Sequence, residues 1–241
     1  MNPPAGLIPP QGVWALIQAR LGSTRLPGKV LLPLAGRPLL GWVVARARLI
    51  APQVAVAVIT GAGEENRPLV EWCSREGVPC LRGSEDDVLD RYCQAALALE
   101  AHTVLRLTAD NPMLDQDLAR TLLLAHLAHG ADYSSAKEEF GSGLPLGVGV
   151  EIFSRRVLWD LNQRELSAGD REHVNEAILA APERFRCLGL RLGGDHASCR
   201  LTVDTPEDLA RVGAWLASLP ADQRLAAEAW RALAAPKEGR V

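Results

Sequence analysis

No run of about eighteen uncharged apolar residues occurs in the chain, which excludes a membrane-spanning helix. The start, MNPPAGLIPPQG, lacks a basic stretch followed by an apolar one, so a soluble, cytoplasmic protein without a membrane partner is the expectation. Cysteine is sparse: five residues, an odd number, widely spaced, with no CxxC pair and no Cys/His spacing of a zinc site. That excludes a disulfide framework and points to free thiols in a reducing compartment. Charge of one sign is missing too. The 26 Lys and Arg and 29 Asp and Glu are mixed along the chain and leave a net charge of −3. The basic stripe of a duplex-binding domain is absent, which argues against nucleic acid as a partner. Neither an internal repeat nor a low-complexity linker appears, and 241 residues are enough to bury one self-sufficient core.

What is present alternates. After a proline-rich lead, residues 13–17 (VWALI) form a short continuous apolar run of the kind that makes a strand buried on both faces. A helix is predicted over residues 39–49, a strand over 54–59, a helix over 65–76 and a short strand near 78–81. Ser84, with an acid three residues on, is the predicted N-cap of a helix spanning 88–101. A strand over 103–107 and a helix ending near 127 follow, then a glycine-rich stretch, strands near 185–190 and 199–203, and a helix over 206–216. Such βαβ alternation predicts an α/β fold with a mixed, mostly parallel sheet and helices on both faces. The expected organisation is a single domain over 1–241 with its core at about 12–217. Residues 134–152 form a substrate or dimer excursion, and 218–241 a C-terminal helix and tail.

The segment QARLGSTRLPGK (residues 18–29) follows directly on the first strand, where open α/β sheets bind ligands. Gly22 and Gly28 let backbone N–H groups approach phosphate oxygens, Ser23 adds a hydroxyl, and Arg20, Arg25 and Lys29 supply positive charge. A triphosphate matches that set. The loop is neither a Walker A motif nor GxGxxG. A solvated basic turn is the bland alternative, disfavoured because three cations confined to one loop repel unless an anion joins them.

Asp110 and Asp204 each end an apolar strand ahead of a proline-containing turn. Two convergent aspartates near a phosphate loop suit Mg²⁺, which takes one or two carboxylates and fills its shell with water and phosphate oxygens. For Asp204 a plain helix start is the competing reading, with Thr205 as N-cap, Pro206 at the first position and Asp208 in the first turn. Arg82 is a candidate nucleotide contact, or a surface partner of Glu85 or Asp86; Asp90 and Arg91 are read as a pair on a helix face, with a place in the site as the alternative. Glu151 is a candidate for holding a sugar hydroxyl, and Glu172 and His173 for acceptor binding, His173 as a conceivable base, although an amphipathic helix start explains the last two equally well.

QARLGSTRLPGK resembles the signature of the CMP-sugar synthetase superfamily, which includes the CMP-KDO and acylneuraminate cytidylyltransferases, and within it the spore-coat polysaccharide biosynthesis protein F branch. RGSEDDVLDRY (82–92), RLTADNPML (106–114), REHVN (171–175) and RLTVDTPEDL (200–209) extend the similarity over roughly 12–215. The resemblance implies a three-layer, Rossmann-like nucleotide-diphospho-sugar transferase fold and a homodimer. It also implies a loop in which Arg20, Ser23, Arg25 and Lys29 grip CTP, with Asp110 and Asp204 on divalent cations. Thr108-Ala109 stands where CMP-KDO synthetases carry Gln-Gly, so Thr108 enters the nucleotide site with an altered polar contact.

The expected activity is transfer of CMP from CTP to a sugar acid or sugar phosphate, with release of pyrophosphate, for surface polysaccharide. Arg20, Arg25, Lys29 and Asp110 are its expected catalytic residues. Two rivals share the architecture: a glycosyltransferase, and a non-catalytic nucleotide-sugar-binding protein. The first typically carries a DxD metal motif at a strand end, whereas Asp115-Gln116-Asp117 falls at a predicted helix start.

Overall fold

A computed structural model describes residues 12–192, 196 and 198–231. Among the described residues nine strands are seen: β1 (Val13–Gln18), β2 (Pro33–Leu34), β3 (Arg37–Pro38), β4 (Ala55–Gly61), β5 (Cys80–Gly83), β6 (Thr103–Thr108), β7 (Tyr133–Ser135), β8 (Glu151–Ser154) and β9 (Cys187–Gly189). Eight α-helices accompany them: α1 (Leu39–Ala47), α2 (Arg67–Arg75), α3 (Val88–Ala98), α4 (Gln116–His129), α5 (Arg155–Asn162), α6 (Ala168–His173), α7 (Glu176–Leu179) and α8 (Pro206–Ser218).

Seven strands form one sheet in the order β5-β4-β1-β6-β8-β7-β9, with β2 and β3 a separate small ribbon. Strands β5, β4, β1 and β6 run parallel, while β8 is antiparallel to both of its neighbours. The unbroken apolar run of β1 has a simple cause. Ala15 and Ile17 face a core shared with α1, α2, α4 and α8, whereas Leu16 faces the opposite core under α3, α5 and α7. A strand covered on both faces has no solvent side to make polar.

The chain winds outward from β1 through β4 to β5, then returns to place β6 on the other flank of β1. The crevice at the carboxyl ends of β1 and β6 is therefore a topological switch point, the usual place for a ligand in such sheets.

Four expectations shift. Strand β5 begins at Cys80, because Gly77 (φ 61°) ends α2 in a left-handed cap in which the Val78 N–H donates to Cys73 O at 2.9 Å. Val78 thus belongs to the helix end. The N-cap of α3 is Asp87, whose side chain accepts from the Asp90 N–H at 2.9 Å, while Ser84 Oγ accepts one step earlier from the Asp87 N–H at 3.0 Å. Residues 199–203 are not a sheet strand. They run beside the excursion through a lone bridge, Leu146 to Arg200, and the Val203 N–H donates to Asp110 O at 2.9 Å. The expected C-terminal helix shows only a 3₁₀ turn, Ala227–Trp230; residues 232–241 lie outside the described residues.

Helix α8 starts on a capping box: the Thr205 hydroxyl accepts from the Asp208 N–H at 3.2 Å, and the Asp208 carboxylate accepts from the N–H groups of Asp204 and Thr205 at 3.1 and 3.2 Å. Replacing Thr205 by alanine is expected to cost about 1 kcal/mol. It would appear as a lower urea midpoint at unchanged slope.

Candidate active site

A cavity of about 300 Å³ opens at the switch point. Its walls come from the end of β1 (Gln18, Ala19), the basic glycine loop (Arg20, Gly22 to Arg25, with Lys29) and the end of β6 (Thr108 to Asp110), with Asp204 closing it. The Ala109 N–H donates to Gln18 O at 3.0 Å and ties the two strand ends together. The loop is held at its base by Asn66, fully buried, whose Oδ1 accepts from the Leu21 N–H at 3.1 Å while its amide donates to Glu85 at 3.1 Å. Farther on, Gly28 (φ 68°) takes a left-handed conformation that glycine adopts without cost and that turns Lys29 inward.

Lys29 is almost buried, and its ammonium has a partner for every proton: Asp110 Oδ2 at 3.0 Å, Asp204 Oδ1 at 2.8 Å and Val203 O at 2.9 Å. Asp110 also accepts from the Thr108 hydroxyl at 2.7 Å. Asp204 meets Arg25 at 3.1 Å and Arg200 in a short contact. Partial burial pushes the Asp204 carboxyl up, but Lys29, Arg25 and Arg200 outweigh it and hold the group below the ordinary carboxylate range. The two readings of Asp204 turn out to be compatible. Thr205 and Asp208 perform the capping, which leaves the Asp204 side chain free to face Lys29.

A second, larger cavity of about 580 Å³ adjoins the first and shares Thr108 and Asp110 with it. The excursion forms one wall and His173, Asn175 and Glu176 another. His173 and Asn175 flank Val174, whose φ of 71° is unusual for a β-branched residue; the Asn175 N–H donates to His173 O at 2.9 Å across this tight, strained turn. Among the described residues, Gln18 Oε1 and Asn111 Oδ1 are buried without hydrogen-bond partners, one bordering each cavity.

Glu151 does not meet a sugar hydroxyl. It is fully buried, accepts from the Tyr133 hydroxyl at 2.8 Å, and is held by short contacts to Arg106 and Lys137. Arg106 and Lys137 both border the larger cavity, and Lys137, on the excursion, has the more exposed side chain. Arg82 is likewise turned away from the nucleotide cavity. It donates to the carbonyls of Ala62 and Gly63 and lies 3.5 Å from Glu64, since β5 is two strands removed from β1. Glu172 pairs with Arg20 at 3.9 Å, both half-exposed, and does not line the larger cavity. Arg91 and Asp90 do not pair: Arg91 donates to the carbonyls of Ser84 and Glu85, and Asp90 to Gln94 and Asn162 serves as acceptor. Asn66 and Lys137 carried no signal in the sequence, because an isolated Asn and a Lys in a charged loop are ordinary surface residues until the fold places them.

The sheet order and the crevice at its switch point define a Rossmann-like α/β fold. A family model described as cytidylyltransferase matches residues 14–174, and the chain belongs to that family. It is 35% identical over 83% of its length to the spore coat polysaccharide biosynthesis protein SpsF of Bacillus subtilis, of which 84% is covered. It is 30% identical over 86% of its length to a 3-deoxy-manno-octulosonate cytidylyltransferase of Anaeromyxobacter, of which 98% is covered. Among solved structures, a cytidylyltransferase from Leptospira borgpetersenii superposes with a TM-score of 0.83 at 28% identity, over 88% of this chain and 90% of that one.

Family membership decides against the glycosyltransferase reading, as does Asp115. Its carboxylate caps α4 by accepting from the N–H groups of Asp117 and Leu118 at 3.1 and 3.0 Å, and it accepts from Trp230 at 2.8 Å. Both Asp115 oxygens are thus engaged by N–H donors.

Proposed function

We propose that the chain transfers CMP from CTP to a sugar acid or sugar phosphate, releasing pyrophosphate, in the synthesis of surface polysaccharide. The observation that carries this is the convergence of Asp110 and Asp204 on one point beside the basic loop, at the seam between a small cavity and a larger one. The smaller cavity takes the triphosphate, whose charge Arg20, Arg25 and Lys29 offset, with Ser23 and the loop N–H groups as donors. The larger takes the acceptor, between the excursion and His173.

The donor set fits Mg²⁺. Two carboxylates face one point. This matches a cation that completes its shell with water and phosphate oxygens. Held there, it would screen charge on the α-phosphate and lower the pKa of the attacking oxygen. Asp110 belongs to both cavities, so the acceptor oxygen and the α-phosphorus meet beside it. As the new P–O bond forms, the bond to pyrophosphate breaks and its electrons leave with that group. Where the acceptor is a hydroxyl, His173 on the cavity wall would take its proton. Positioning and fixed charge supply the rate.

The same reading includes a single domain acting as a cytoplasmic homodimer through the 134–152 excursion. The cysteines, all free thiols, support a reducing compartment. Among the described residues no helix is long and apolar enough to cross a membrane.

Pyrophosphate release, measured with CTP, UTP, ATP and GTP against ulosonic acids, nonulosonic acids and sugar phosphates, tests the activity. Mg²⁺-dependent release with CTP and one acceptor class is expected. Silence across the panel, with hydrolysis of a nucleotide sugar instead, would overturn it.

A further inference from the structure

We propose that Lys29 is a placeholder: its ammonium keeps Asp110 and Asp204 closed to free divalent cations and releases them only when a triphosphate enters the loop. The proposal rests on the reading of these two aspartates as metal ligands. Its basis is a coincidence of position. The ammonium lies between the two carboxylate oxygens that a bridging cation would need, 3.0 Å from one and 2.8 Å from the other, and a third contact to Val203 O at 2.9 Å uses its last proton. Like charges at that separation repel strongly where water is scarce, and Lys29 is only 9% exposed.

Charge count around the aspartates points the same way. Two carboxylates face Lys29, Arg25 and Arg200, so the cluster is already net positive and offers a free dication no attraction. A triphosphate brings several negative charges into the adjoining cavity, whose walls include Ser23, Arg25 and Lys29 itself. With every proton engaged, the ammonium can donate to a phosphate only by leaving one of its present acceptors. The lysine stem is flexible enough for that exchange. Once it turns to the phosphates, Asp110 loses its cation partner and Asp204 keeps only Arg25 and Arg200, while the local charge becomes negative. Nucleotide and metal then raise each other's affinity by the same factor, as linkage requires.

The aspartates do not depend on Lys29 to stay together. The Val203 N–H donates to Asp110 O at 2.9 Å and holds the two strand-end segments side by side. Removing the ammonium should therefore leave a preformed pair of carboxylates in which Asp110 is unpaired and Asp204 is held only by the more exposed Arg25 and Arg200.

The test is Mn²⁺ binding followed by the electron paramagnetic resonance of free Mn²⁺, with and without CTP, for the unaltered protein, Lys29→Met and Lys29→Met/Asp110→Asn. For the unaltered protein, CTP is expected to tighten Mn²⁺ binding by about tenfold or more. Without CTP, Lys29→Met should bind Mn²⁺ about tenfold more tightly than the unaltered protein, and the added Asp110→Asn change should abolish the gain. Equal Mn²⁺ affinity of the unaltered protein with and without CTP overturns the placeholder, and this needs no variant to fold. So does a folded Lys29→Met protein, checked by circular dichroism, that shows no gain while its remaining Mn²⁺ binding still depends on Asp110. A gain that survives Asp110→Asn overturns both the placeholder and the assignment of the aspartates.

Discussion

Replacing Asp110 by alanine is expected to cut kcat/KM for pyrophosphate release from CTP by about a thousandfold or more, with the fold intact. The size follows from the position. Among the described residues Asp110 is the one charged side chain that borders both cavities, and the removal of a group that fixes charge stabilisation at the reacting phosphate costs about 4 kcal/mol of barrier, or three powers of ten in rate. Stability should change little. The backbone of Asp110 keeps its contact to the Val203 N–H, and Lys29 retains Asp204 and Val203 O as partners. Circular dichroism and the thermal midpoint would show the fold; the pyrophosphate assay reads the loss. A drop of less than about tenfold in a folded protein would remove Asp110 from the metal site and leave the basic loop as the main source of catalysis.

How much of this was legible in the residues depends on whether the signal is local. The β1 run, the glycine loop and the α8 capping box are each written within about a dozen consecutive residues, and the structure shows all three where the pattern put them. Asp110 and Asp204 could be named one at a time from strand ends. Their meeting was expected from adjacent strand ends but is reached by another route, residues 199–203 running beside the excursion instead of in the sheet, a long-range choice with no periodicity of its own. Arg82 and Glu151 misled for opposite reasons. Arg82 ends a strand as expected, but that strand is two places from β1, and only the sheet order shows the distance. Glu151 looked like a polar residue delivered to a pocket by a glycine-rich loop, whereas it starts β8 and spends its charge on Arg106, Lys137 and Tyr133 beneath the pocket. Burial of an acid is invisible in sequence unless its partners are known.

That buried carboxylate carries the second large effect. Glu151→Gln preserves volume but strips the negative charge from a site where Arg106 is 10% exposed and Lys137 27%, so two cations are left facing each other without a counter-charge. Breaking a buried pair in this way is expected to destabilise the fold by about 3–5 kcal/mol, measured by urea unfolding at pH 7. The pH dependence separates this cause from a packing defect. Burial pushes the Glu151 carboxyl up, but Lys137 and Arg106 outweigh it and hold the group at about 2 against an ordinary 4.5. A carboxyl with a depressed folded-state pKa stabilises fully above the unfolded value, and that contribution fades as pH falls from about 4.5 toward about 2, amounting to about 3 kcal/mol. The unaltered protein should therefore lose stability through this window more steeply than Glu151→Gln, so that the two curves converge at low pH. Parallel curves would mean that Glu151 is not the anchor of the Arg106 and Lys137 charges. Because Lys137 reaches from this anchor into the acceptor cavity, the same variant should raise KM for the sugar more than KM for CTP, a split that a general loss of folded protein would not produce.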